Sequence, residues 1–208
     1  MEIVPRQPVP VFPLPDVVLF PHAVVPLHIF ELRYRTMLRD ALSGERLIAM
    51  ALLKPGWEHD YFGSPAFHPL GCLGRCEAVE WLPDDRYDLR LLGLARVRFG
   101  PTEREFPYRL ARVEVLPEAP YTEDDPLVAS ERAALLDVYR RLIGRPDAGD
   151  EVPFGALVNG VCMVAPLPAE EKLGLLALDS VIERGHRVRE LVARRLRDPG
   201  TSGPGEHN

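Results

Sequence analysis

The hydrophobic period of this chain changes once, near residue 118, from the two-residue alternation of strands to the spacing of helices. A chain patterned in that way folds as α+β: a β-rich part at 1–118, a helical part at 119–197 and a disordered tail at 198–208, which is rich in Gly, Pro, Ser and Thr.

In the first part Arg46–Leu53 is nearly all apolar, as a strand covered on both faces must be. Arg86–Leu92 alternates Tyr87, Leu89 and Leu91 against Arg86, Asp88 and Arg90, and Tyr108–Leu116 sets Ala111, Val113 and Val115 against Arg112 and Glu114. Pro83-Asp84-Asp85 supplies a turn between the strands that carry Trp81 and Tyr87. The prolines from Pro5 to Pro26 restrict the opening to short or edge strands. One helix interrupts the strands. In Glu31–Leu42 the residues Tyr34, Met37, Leu38, Ala41 and Leu42 keep i, i+3, i+4 spacing, and Gly44 follows as a stop.

The second part reads as an antiparallel bundle of four helices joined by short loops. Asp125 caps the first, with Pro126 at its first position and Leu135, Val138 and Leu142 on one face, and Gly144 ends it. The others are Phe154–Ala165, Ala169 to about Leu178 opened by Pro168, and Val181–Leu196 with arginines in its last turn, where the helix dipole favours cations.

Composition removes whole classes of function. With 46% hydrophobic residues, 27% charged, 22 Pro and 16 Gly, the chain is neither collagen, coiled coil nor disordered. Its longest apolar run, Leu47–Leu53, is far below the roughly 18 residues of a membrane span, and residues 1–30 lack the features of a secretory signal, so the expectation is a cytosolic protein with no membrane partner. Cys72, Cys76 and Cys162 are too few for a disulfide framework and read as thiols. The net charge of −6 argues against a general polyanion binder.

No nucleophile, P-loop or metal site stands out, so no catalytic residue and no cofactor is expected. Neither of the two lysines, Lys54 and Lys172, lies in a phosphate-binding loop. His68, Cys72 and Cys76 have metal-like spacing, but on one strand four residues span roughly 13 Å, too far for two ligands of one zinc ion. His28 and Glu31 have no third partner nearby, and an enzyme built on His22, His28, His59 and Asp60 would need them gathered in a cleft.

Two features suggest binding. Arg184, Arg187, Arg194 and Arg195 recur at spacings compatible with a stripe on the last helix, either a phosphate-binding face or a solvated one paired with acids, for example Glu190 with Arg194. The connection Lys54–Pro69 carries Trp57, Tyr61, Phe62 and Phe67, rings that either bind hydrophobic peptide segments or close the end of the β domain.

The stretch Phe12–Tyr34, FPLPDVVLFPHAVVPLHIFELRY, resembles the start of the N-terminal substrate-binding domain of Lon proteases. Gly71-Cys72-Leu73-Gly74, Asp85-Arg86-Tyr87, Leu92–Phe99, Pro107-Tyr108-Arg109 and Leu167–Leu173 are similar to later motifs of that domain in the same order. His22 stands where the family usually has glycine, and Leu32 where proline usually follows the glutamate. The resemblance implies a PUA-like β-barrel followed by a helical bundle, and a free-standing, non-catalytic module that binds unfolded or hydrophobic polypeptide segments, with a separate protease as a possible partner. The rival reading is a nucleic-acid-binding PUA-like protein.

Overall fold

The computed structural model describes residues 5–145 and 151–197, so the tail expected at 198–208 lies outside the described residues. Among the described residues six strands and five α-helices follow one another as β1 (Val9–Leu14), β2 (Val24–Ile29), α1 (Leu32–Ser43), β3 (Leu47–Leu53), β4 (Phe67–Leu82), β5 (Arg86–Arg104), β6 (Arg109–Val115), α2 (Pro126–Ile143), α3 (Phe154–Val164), α4 (Ala169–Leu176) and α5 (Val181–Arg197). This is the mixed α+β class that the change of period requires.

The sheet runs β2-β5-β4-β3-β1-β6, and β6 also pairs with β5, so β1, β3, β4, β5 and β6 form a closed cycle of pairings with β2 outside it. Among these strands only β1 and β3 pair in parallel, within the described residues. β3, buried at every position, carries Leu47, Ala49 and Ala51 on one face, where they join Val11, Leu73, Val97 and Phe99 in an inner core. Ile48 and Met50 on its other face join Tyr34, Met37 and Leu38 of α1.

The prolines sit where the ladder spares them. Pro10 lies in the part of β1 that pairs with β6, Pro13 in the part that pairs with β3, and Pro26 is on β2, at the edge of the sheet. Gly93 is packed too tightly for any side chain: a Cβ there would lie 2.0 Å from the Phe20 carbonyl oxygen. The Gly93 carbonyl in turn accepts from the His22 N–H at 2.8 Å. His22 adopts φ +65 after Pro21, and the Ala23 N–H closes on Phe20 O at 3.2 Å, a turn of the kind that favours glycine at its third position.

Helix ends follow their local chemistry. Asp125 accepts from the Leu127 N–H at 2.8 Å, and Gly144 closes α2 with φ +67. Gly44 ends α1 at φ −111, and the left-handed residue at this corner is Arg46, at φ +59. The core under α2–α5 also takes in Val18, Phe20 and Leu52 from the strand half. Among the described residues no helix is long and apolar enough to cross a membrane.

Candidate functional site

The segment after β3 is tied to α1 by a small polar cluster. Tyr61 donates its hydroxyl hydrogen to Glu31 Oε1 at 2.6 Å, Glu31 Oε2 accepts from Arg33 Nε at 3.0 Å, and Arg33 donates from Nη1 to the Tyr61 carbonyl at 3.0 Å. The guanidinium of Arg33 also faces the rings of Tyr34 and Tyr61, its Cζ at 4.6 and 5.0 Å from their centroids. Burial and then the bond to Glu31 push the Tyr61 hydroxyl above its ordinary pKa, and burial pushes Tyr34 up to about 12, so both phenols stay protonated and Tyr61 remains the donor to Glu31.

This clasp presents one ring to solvent. Phe62 is 83% exposed and stands edge-on to Tyr61, which is edge-on to a half-buried Trp57. Phe106, 67% exposed, at the turn between β5 and β6, lines the same cleft. The cleft floor includes Val11, Pro13, Leu53 and Tyr34, and its walls include Arg33, Glu105 and Arg109. Asp60 shapes the rim by accepting from the Ser64 N–H at 3.1 Å, and Ser64 donates to Glu105 at 2.8 Å, linking the two sides.

Of the four aromatic candidates, Trp57, Tyr61 and Phe62 fall on the connection as expected. Phe67 does not, because β4 begins there. It packs edge-on against Phe99 with the Arg109 guanidinium over its ring, which makes it part of the inner core's lining. Phe106 was not signalled in the sequence: a single aromatic before a proline carries no period.

The other candidates disperse. Arg184 does not belong to an exposed stripe. It is fully buried, donating to Leu175 O, Leu178 O and Asn159 Oδ1. Arg189 pairs with Glu131 of α2, Arg187 takes the Glu190 that was expected for Arg194, and Arg195 lies 3.8 Å from Glu171. The last helix therefore offers no continuous cationic face for phosphates. His28 bonds to Asp88 at 2.7 Å and His68 to Glu170 at 3.0 Å. Cys72, Cys76 and Cys162 are free and buried, and among the described residues no group of His, Cys, Asp and Glu is placed to hold a metal ion.

Comparison with known proteins places this geometry. The sequence pattern of the ATP-dependent protease La (LON) substrate-binding domain matches residues 8–194, and the chain belongs to that family. It is 25% identical over 197 residues to Lon protease 2 of Myxococcus xanthus, covering 91% of this chain and 24% of that protein. It is 31% identical over 102 residues to the Lon protease of Desulfosudis oleivorans, 49% of this chain and 12% of the relative. The chain thus spans about a quarter or less of these proteases. The N-terminal domain of Mycobacterium avium complex Lon protease has the same fold at a TM-score of 0.70 and 19% identity, covering 90% of this chain and 98% of that one. A Lon N-terminal domain protein from Xanthomonas campestris superposes at 0.63 with 26% identity, covering 89% and 96%. The family's role is that of a substrate-binding module, and the matched domain is distinct from a protease's catalytic machinery.

Proposed function

We propose that this chain is a non-catalytic, cytosolic polypeptide-binding module that holds unfolded or hydrophobic protein segments against the exposed aromatic surface of Phe62 and Phe106. The observation that carries this reading is the pair of large, exposed aromatic rings, Phe62 and Phe106, that line one cleft, with the Phe62 side tied to α1 by a polar clasp. We read the closed strand cycle of 1–118 as a PUA-like barrel that supports these walls, and 119–197 as an antiparallel bundle that buttresses it. Trp57 and Tyr61 extend the apolar surface, and Phe67 supports Arg109 from below. A protease that receives the bound segment is the partner class this role implies.

The energetics suit transient capture. Covering about 400 Å² of apolar surface contributes on the order of 10 kcal/mol gross at about 25 cal/mol per Å². Ordering the client and losing its freedom of motion offset most of that, leaving affinities of about micromolar. Hydrogen exchange with and without a reduced, unfolded polypeptide tests the reading. Protection is expected at 57–66 and 105–109, and its absence at saturating client would overturn the assignment.

A further inference from the structure

The helical half carries a groove of its own, with a volume of about 440 Å³, that shares no lining residue with the cleft beside Phe62. It runs between α4 and α5. Glu171, Gly174, Leu175 and Leu178 line it from α4 and the turn that follows, at i, i+3, i+4 and i+7. Arg187, Leu191 and Arg194 line it from α5, at i, i+4 and i+7. Each set is one stripe of its helix, so the two present neighbouring ridges with a furrow between them, the surface into which a further helix packs. Gly174 keeps that furrow open. Glycine weakens a helix interior relative to alanine, yet nothing inside the molecule requires one at 174, because a Cβ there would meet no atom within 4 Å. Gly93, whose Cβ would lie 2.0 Å from a carbonyl oxygen, shows the opposite case. The space above Gly174 belongs to the groove and lets another backbone come close.

Charge selects the occupant. Arg187 and Arg194 are exposed on the α5 rim, two helical turns or about 10 Å apart. Arg187 shares Glu190 at 3.1 Å, and Arg194 has no ion-pair partner among the described residues. Glu171, on the other rim, is engaged by Arg195 at 3.8 Å, so the unmatched charge of the groove is positive. Residues 198–208 hold no large apolar side chain and supply nothing to lay on Leu175, Leu178 and Leu191. We propose that this groove docks an amphipathic helix of a partner protein, its apolar stripe resting on the three leucines across Gly174, with acidic residues seven apart meeting Arg187 and Arg194. The surface is separate from the client-binding reading and does not depend on it.

The test titrates the whole chain into a fluorescent, helix-favouring peptide that carries leucines at i, i+3, i+4 and i+7 beside two glutamates seven apart, read by anisotropy. Two control peptides replace the glutamates by lysine or the leucines by serine. The first peptide should bind with a Kd of about micromolar, and each control at least tenfold more weakly. A Cβ at 174 meets nothing, so Gly174→Tyr should keep the wild-type melting temperature and weaken the peptide at least tenfold. Arg187→Glu/Arg194→Glu should reverse the preference in favour of the lysine peptide. Equal binding of the serine control would reduce the groove to an anion site and overturn the proposal. So would no binding by the wild-type chain, binding unchanged in Gly174→Tyr, or self-association in light scattering that Gly174→Tyr abolishes, which would make the occupant a second copy. Affinity for an unfolded client should be unchanged in both variants, which keeps this result distinct from the assignment of Phe62 and Phe106.

Discussion

Glu118 Oε1 lies 2.8 Å from Nη2 of Arg184, a side chain wholly buried in the helical core. The same oxygen lies 3.3 Å from Nε of Arg96, buried on β5, which also donates to the Leu176 carbonyl at 3.2 Å and to Asp179 at 2.9 Å. One carboxylate, at the position where the hydrophobic period changes, therefore joins the last helix to the sheet. Two cations out of water are tolerable here because carboxylates and helix-end carbonyls surround them.

Glu118 is itself about a third exposed and Arg96 keeps Asp179, so Glu118→Gln should destabilise the whole chain by about 1–2 kcal/mol, less than removing a partner from a fully buried pair. Urea unfolding followed by far-UV and near-UV signals should show one lowered midpoint. Two separated transitions would show instead that Glu118 holds together halves that fold separately.

Alkaline pH should weaken the fold through its thiols. Burial pushes Cys72 and Cys162 from an ordinary value near 9 up to about 12 and Cys76 up to about 11, so the folded chain keeps protons that the unfolded chain releases. Stability is thus complete below about pH 9 and falls as pH rises from there towards the folded-state values, by up to about 1.4 kcal/mol per pH unit for each thiol. Denaturant midpoints between pH 8 and 10 measure this, and Cys162→Ala should flatten the slope while lowering the starting stability. The same burial predicts alkylation of the three thiols only through unfolding.

His22→Gly should raise stability by about 0.5–1 kcal/mol, because φ +65 costs a side-chain-bearing residue what glycine does not incur. Gly93→Ala, on the other side of the same contact, should be severe, since its new methyl would have to displace the Phe20 carbonyl. Thermal melts of both variants check the pair.

Leu32→Pro should stabilise by about 0.4–1 kcal/mol through the unfolded state. Leu32 is the first residue of α1 and is exposed, and Glu31 before it is already extended at φ −68, ψ 135, the conformation proline demands of its predecessor. A lowered melting temperature would contradict this.

What was legible in the sequence was whatever a period or a cap encodes locally. The buried face of α1, the Asp125–Pro126 start and Gly144 end of α2, and the wholly apolar β3 all follow from neighbours a turn or two away. The full length of β4 and β5 was not legible, because shifts of register at Gly74, between Cys76 and Ala78, and around Thr102 break the alternation that marks a strand. The charged core was hidden for a different reason. Arg96, Arg184 and Glu131 carry the same local pattern as solvated residues, and only partners far along the chain make their burial affordable. The cleft combines both cases: Phe62 was visible in an aromatic-rich connection, whereas Arg33, Phe106 and Arg109 come from separate elements that only the closed sheet brings together.

The most direct test of the account is the affinity of a fluorescently labelled, reduced and unfolded polypeptide for the wild-type protein and for Phe62→Ser/Phe106→Ser. Both rings are exposed, so the double variant should keep the wild-type melting temperature. Binding near micromolar that weakens at least tenfold in the variant, with little response to salt, is the predicted result. Equal binding by both proteins would contradict the assignment of the cleft.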